Sequence, residues 1–137
     1  MTASTKSFLT HLDSLGIIYE LFERDRKSDL VSLRYRLDNG KAAEILVFLE
    51  NDDVNVALRC YTGIKVTSEN RLRALEFANM MTPAYRCTKL YIDEGEIAVG
   101  SDILLPEDNV GAYIAKHLDL FLYVVNETYE KTVRHLL

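Results

Sequence analysis

Three histidines, two cysteines and the adjacent carboxylates Asp52-Asp53 and Asp93-Glu94 are the side chains through which this sequence could do chemistry. A metal site would need them at ligand spacing. His11, His117 and His135 have no such spacing with Cys60 and Cys87, and neither Cys-x-x-Cys nor His-Glu-x-x-His occurs. Nucleophile-elbow and phosphate-loop patterns are also absent, and the six glycines are scattered as turn residues. Asp52-Asp53 and Asp93-Glu94 fall in turns, where adjacent acids are ordinarily solvated turn formers; a cation would need further oxygen ligands. Cys60 takes an inward-facing strand position, which predicts an inert buried thiol rather than a nucleophile. His117 lies near the apolar stripe of the last helix, where a lone histidine is ordinarily a hydrogen-bonded boundary residue. The sequence predicts no catalytic, metal-binding or cofactor-binding residue.

The elements that position these residues follow from periodicity. Phe8, Leu9, Leu12 and Leu15 share one stripe of a helix over 5–15, with Ser4 or Thr5 as its cap and Gly16 ending it. An extended stretch, 17–22, and a charged loop, 23–29, come next. From Leu30 the period becomes two: Val31, Leu33, Tyr35 and Leu37 alternate with Ser32, Arg34 and Arg36. Turns at Asp38-Asn39-Gly40 and Asn51-Asp52-Asp53 deliver strands 43–49 and 54–61, predicting an antiparallel meander that Gly63 ends. A helix over 69–81, capped by Ser68, stops at Thr82-Pro83. A hairpin turning at Asp93-Glu94-Gly95 then leads through Pro106 to a long amphipathic C-terminal helix. The predicted fold is α+β, in the order α-β-β-β-α-β-β-α with a possible short extra strand before the first, an antiparallel sheet carrying helices within one domain spanning residues 1–137.

Two features point outward. The middle helix is apolar around most of its circumference, through Leu72, Ala74, Leu75, Phe77, Ala78, Met80 and Met81. Packing on a sheet needs one stripe, so the excess is covered either by a subunit interface or by loops of the same chain. Leu72, Leu75, Phe77, Met80 and Met81 are the candidate dimer interface. Alternation also places Arg34, Arg36 and Arg59 opposite the core stripe, with Leu46, Phe48 and Tyr61 among them. Mixed arginine and aromatic content is common where another chain is gripped, and equally common on a solvated antiparallel face.

Composition bounds the function. With 137 residues, 48% hydrophobic and 27% charged, the chain can bury a core without disulfides or metals. A formal charge of −5 argues against non-specific nucleic-acid binding, which needs a dominant basic surface. No apolar run is long enough for a membrane helix. The first residues lack the plan of a signal peptide, so a cytoplasmic protein with reduced cysteines is expected.

Ala78-Asn79-Met80-Met81, Lys89-Leu90-Tyr91-Ile92-Asp93-Glu94-Gly95-Glu96-Ile97, Ser101-Asp102-Ile103-Leu104-Leu105-Pro106 and Leu118-Asp119-Leu120-Phe121-Leu122 together resemble the YbjN-like family. That family is similar in fold to the type III secretion chaperones, and its usual label is a bacterial sensory transduction regulator. The likeness covers about the last seventy residues; before that it rests on element order, with Leu15-Gly16-Ile17 ending the first helix. Thr82 stands where the family often has a second asparagine. The resemblance implies a cytoplasmic, non-enzymatic homodimer that binds an unidentified protein partner, without cofactor, nucleic acid or membrane. It carries over no catalytic residues. The alternative is a small-molecule-binding or enzymatic domain, its pocket between the sheet and the last helix, with Tyr113, His117 and Tyr123 supplying polar groups.

Overall fold

The computed structural model describes residues 1–25 and 27–137; within the charged loop 23–29, Arg26 lies outside the described residues. Helix α1 (Ala3–Ser14) leads into strands β1 (Glu20–Phe22), β2 (Asp29–Arg36), β3 (Ala42–Leu49) and β4 (Asn55–Lys65). Helix α2 (Arg71–Met81) follows, then a 3-10 turn (Thr82–Ala84), strands β5 (Thr88–Asp93) and β6 (Glu96–Leu104), and helix α3 (Val110–Leu136). The strands form one antiparallel sheet in the order β1-β2-β3-β4-β6-β5. The fold is α+β as patterning predicts, and 17–22 does supply a short extra strand.

Period-two alternation does the sorting. Val31, Leu33, Ile45, Val47, Leu49, Val56, Leu58 and Cys60 are all buried, on the face that carries the helices. Helix α3 lays Ile114, Leu118, Phe121 and Val125 onto that layer, and α1 adds Phe8, Leu9 and Leu12. Gly111 allows α1 and α3 to approach closely, since a Cβ there would collide with the Ser7 carbonyl oxygen. The Gly111 N–H donates to Ser7 Oγ at 3.0 Å.

Three boundaries differ from the sequence expectation, each because a polar partner lies elsewhere than local spacing suggests. Helix α1 begins at Ala3 with Thr2 as cap, rather than at Ser4 or Thr5. Distant carboxylates extend it: the Ser4 N–H donates to Asp53 and the Thr2 N–H to Asp29. Helix α2 begins after Asn70 rather than Ser68, because the Asn70 side chain accepts from the Thr67 N–H and donates to the Lys65 carbonyl, holding 67–70 as a turn. Strand β4 continues past Gly63 to Lys65 through an irregularity in its pairing with β6, where Glu96 accepts the Gly63 N–H.

Candidate functional site

The helix-free face of the sheet is built by the alternate residues of all six strands. Register aligns Phe22, Leu30, Phe48 and Ala57 in one row across β1 to β4, ending at Asp102 on β6. The next row runs Glu20, Ser32, Leu46, Arg59, Gly100 and Lys89. Leu30, Leu46, Phe48 and Ala57 are half-buried and Phe22 is exposed. Arg24 lies 5.2 Å above the Phe48 ring, held by bonds to the Ser28 carbonyl and hydroxyl.

Toward β5 the same face turns polar and satisfies itself. Arg59 pairs with Asp102 at 2.8 Å and donates to the Leu58 and Ser101 carbonyls. It lies flat because residue 100 is glycine: a Cβ would meet Arg59 Nη1 at 3.0 Å and Tyr91 Cε1 at 3.1 Å. Tyr61 donates to Asp93 at 2.8 Å, and this bond, with lesser help from burial, pushes its pKa up to about 12. Arg34 and Arg36, on β2, have no carboxylate within ion-pair distance among the described residues; Arg36 donates to the Gly40 carbonyl. All six sequence-predicted face residues thus share one surface. Arg59 and Tyr61 are committed to neighbours in the same chain.

The candidate interface residues of α2 divide between two sides of the helix. Phe77 is 1% exposed and packs inward with Ala74 and Ala78, its ring 4.6 Å from that of His135. Met81 is half-buried against the core. Leu72, Leu75 and Met80 are 69%, 46% and 51% exposed. At 100° per residue they fan across the outer side of α2 with Glu76 and Asn79 between them.

The chemically capable residues are dispersed. Cys60 is buried, which pushes its thiol up to about 12, and Cys87 is exposed. The His117 ring packs tilted against that of Tyr113, 4.6 Å away; its pKa is lowered by burial and further by the Lys116 charge. Tyr123 is exposed and lines a shallow cavity of about 250 Å³ between the end of β2 and α3, with Tyr35, Leu37 and Asn126; Tyr113 and His117 are not among its walls. Among the described residues, no group of three or more His, Cys, Asp or Glu side chains gathers as metal ligands, and no helix is long and apolar enough to cross a membrane.

Sequence reasoning did not single out Phe22, Leu30, Gly100 or Asp102 for this face. Phe22 carries no local signal, since its place depends on β1 pairing with β2. Gly100 and Asp102 are recognisable only once β6 is set beside β4.

These elements define a class: an α+β fold with a six-stranded antiparallel sheet and three helices. The particular fold is YbjN-like. YbjN of E. coli, provisionally described as a transcription regulator, superposes with a TM-score of 0.60 over 93% of this chain and 93% of its own at 11% identity. The heterodimeric ExoU–SpcU complex from the type III secretion system of Pseudomonas aeruginosa matches with a TM-score of 0.47 at 14% identity, over 93% of this chain and 95% of that one. No family model and no curated protein matches the sequence.

Proposed function

We propose that the chain is a non-enzymatic, cytoplasmic protein-binding module, chaperone-like or regulatory, that acts as one domain and pairs with a second copy through the outer side of α2. The observation that carries this reading is the exposure of Leu72, Leu75 and Met80 on an eleven-residue helix that already buries Ala74, Phe77 and Ala78 on its other side. Apolar side chains grouped in this way cost free energy in water and regain it against a complementary surface. A second copy is the simplest such surface, because a two-fold axis makes one patch its own partner. A different protein would then use the helix-free sheet face, over the apolar row from Phe22 to Ala57 and beside Arg34 and Arg36. Arginine and aromatic side chains are enriched where interfaces are strongest.

Light scattering tests the pairing. The expected result is a dimer that Leu72→Glu and Met80→Glu convert to a monomer with unchanged circular dichroism. A wild-type monomer at all concentrations would refute it.

A further inference from the structure

Seven asparagines occur in the chain, and Asn39 is the one followed by glycine. That order has a chemical consequence. A glycine nitrogen, with no Cβ beside it, can reach the side-chain carbon of a preceding asparagine. Once that nitrogen loses its proton, the new N–C bond forms, ammonia leaves and a five-membered imide closes. Water then opens the ring to aspartate or isoaspartate; opening at the main-chain carbonyl gives isoaspartate, whose backbone is longer by one methylene. Asn109 precedes β-branched Val110, and Asn70 is buried with its side chain bonded to Thr67 and Lys65, so neither competes with Asn39.

The fold holds both reacting groups elsewhere. The Gly40 N–H donates to the Leu37 carbonyl at 2.8 Å, and Asn39 Oδ1 accepts the Lys41 N–H at 2.9 Å. Gly40 takes φ 89° and closes the loop between β2 and β3, with the Leu37 N–H donating to the Lys41 carbonyl at 2.8 Å. The nucleophilic nitrogen thus keeps its proton in a hydrogen bond, and the electrophilic carbon is pinned toward residue 41. Both bonds must break before the ring can close.

The loop is in turn tied to α3. The Asp38 N–H donates to Asn126 Oδ1 at 2.9 Å, and Asn126 Nδ2 donates to Asp38 Oδ2 at 2.6 Å. Lys41 Nζ lies 5.0 Å from the centre of the Tyr129 ring. Asn126 and Tyr129 are three apart on α3 and so share one side of it. They grip the loop at residues 38 and 41, which flank Asn39-Gly40. All four loop residues are exposed, so water and base reach them whenever the loop opens.

We infer that Asn39 is a deamidation site whose rate is set by release of the loop 38–41 from Asn126. Conversion puts a negative charge, and in the isoaspartyl form an extra methylene, into the turn that sets the β2–β3 register. Arg36, whose guanidinium donates to the Gly40 carbonyl at 2.9 Å, is held by the same turn. The modification therefore acts on the end of the helix-free face that carries Arg36. The inference does not rest on the protein-binding reading, and its readout is chemical.

The test incubates the full chain at mildly alkaline pH, folded or unfolded in guanidinium chloride. Mass spectrometry follows amide-to-acid conversion, and isoaspartyl-specific methylation follows the lengthened backbone. Conversion at Asn39 should be at least about ten-fold slower in the folded chain. Asn126→Ala should raise the folded rate at least about three-fold and speed hydrogen exchange of the Gly40 amide equally, leaving the Leu58 amide in β4 unchanged. Asp38→Ala breaks the same tie from the other side and should act alike, and the two substitutions together should add little. Equal rates in folded and unfolded chains overturn the protection. A folded rate that neither substitution changes, or an equal acceleration at Leu58, overturns the control by α3. Conversion of another asparagine before Asn39 overturns the assignment of the site.

Discussion

Helices α2 and α3 are both rich in apolar residues, yet they end in opposite situations. The 27 residues of α3 place Ile114, Leu118, Phe121, Val125, Thr128 and Thr132 in one buried line against the sheet. The 11 residues of α2 bury Ala74, Phe77 and Ala78 and leave Leu72, Leu75 and Met80 outside. Hydrophobicity in a sequence states how much surface wants covering; it does not state whether the same chain supplies the cover. On α3 the sheet does so. On α2 Leu72, Leu75 and Met80 are left uncovered, and the pairing proposed above rests on that exposure.

The contrast breaks most visibly at Phe121. Truncation to alanine should remove about 3–5 kcal/mol of stability, because a fully buried aromatic leaves a cavity that a close-packed interior fills poorly. Chemical denaturation measures this; a loss below about 1 kcal/mol would mean that α3 is not the anchor described here. At the start of the same helix, Gly111→Ala should be destabilising by about 1–3 kcal/mol, as the new methyl group meets the α1 backbone rather than a movable side chain. A neutral result in thermal unfolding would show that α1 can step aside.

Asp53 probes how α1 is held in place. Its pKa is lowered chiefly by the Ser4 N–H and then by the Ser4 hydroxyl. A carboxylate whose pKa falls on folding contributes its full share above the ordinary carboxylate range, and that share fades as pH drops through the folded value. Because Asp53 is exposed, solvent screening discounts this share: replacement by asparagine should cost less than about 1 kcal/mol at neutral pH, and progressively less below about pH 4. Parallel pH–stability curves for the two proteins would refute the assignment. The smallest effect on stability belongs to α2: Leu72→Glu should change unfolding free energy by less than about 0.5 kcal/mol while abolishing self-association. That separation of stability from assembly is the sharpest form of the comparison. A large loss of monomer stability would place Leu72 in the core after all.

Much of the architecture was legible because it rests on short-range rules. Alternation from Val31 to Leu37 and from Val56 to Cys60 told the inward face from the outward one, since a strand sends successive side chains to opposite sides; Val54, expected to begin the second inward series, lies exposed just before β4. Asp93-Glu94-Gly95 marked the hairpin because that backbone needs positive φ, which Glu94 and Gly95 both adopt. Arg34, Arg36, Arg59, Leu46, Phe48 and Tyr61 could be assigned to one surface by the same alternation. Less legible were the helix starts, because Asp53 and Asp29 reach α1 from far along the chain. Phe77 was unreadable in the same sense: an all-round apolar helix gives no sign of which side meets its own core.

By itself, then, the sequence determined the α+β class, the strand faces and the turns, because each depends on residues a few positions apart. Only the tertiary structure decided that β6 enters between β4 and β5, that Phe22 joins the row reaching Ala57, that Leu72 and not Phe77 meets solvent, and that the Thr82 hydroxyl bonds both backbone groups of Leu90. Those outcomes depend on contacts between distant segments, which form only when the burial of the whole core fixes the packing, and no local pattern encodes them.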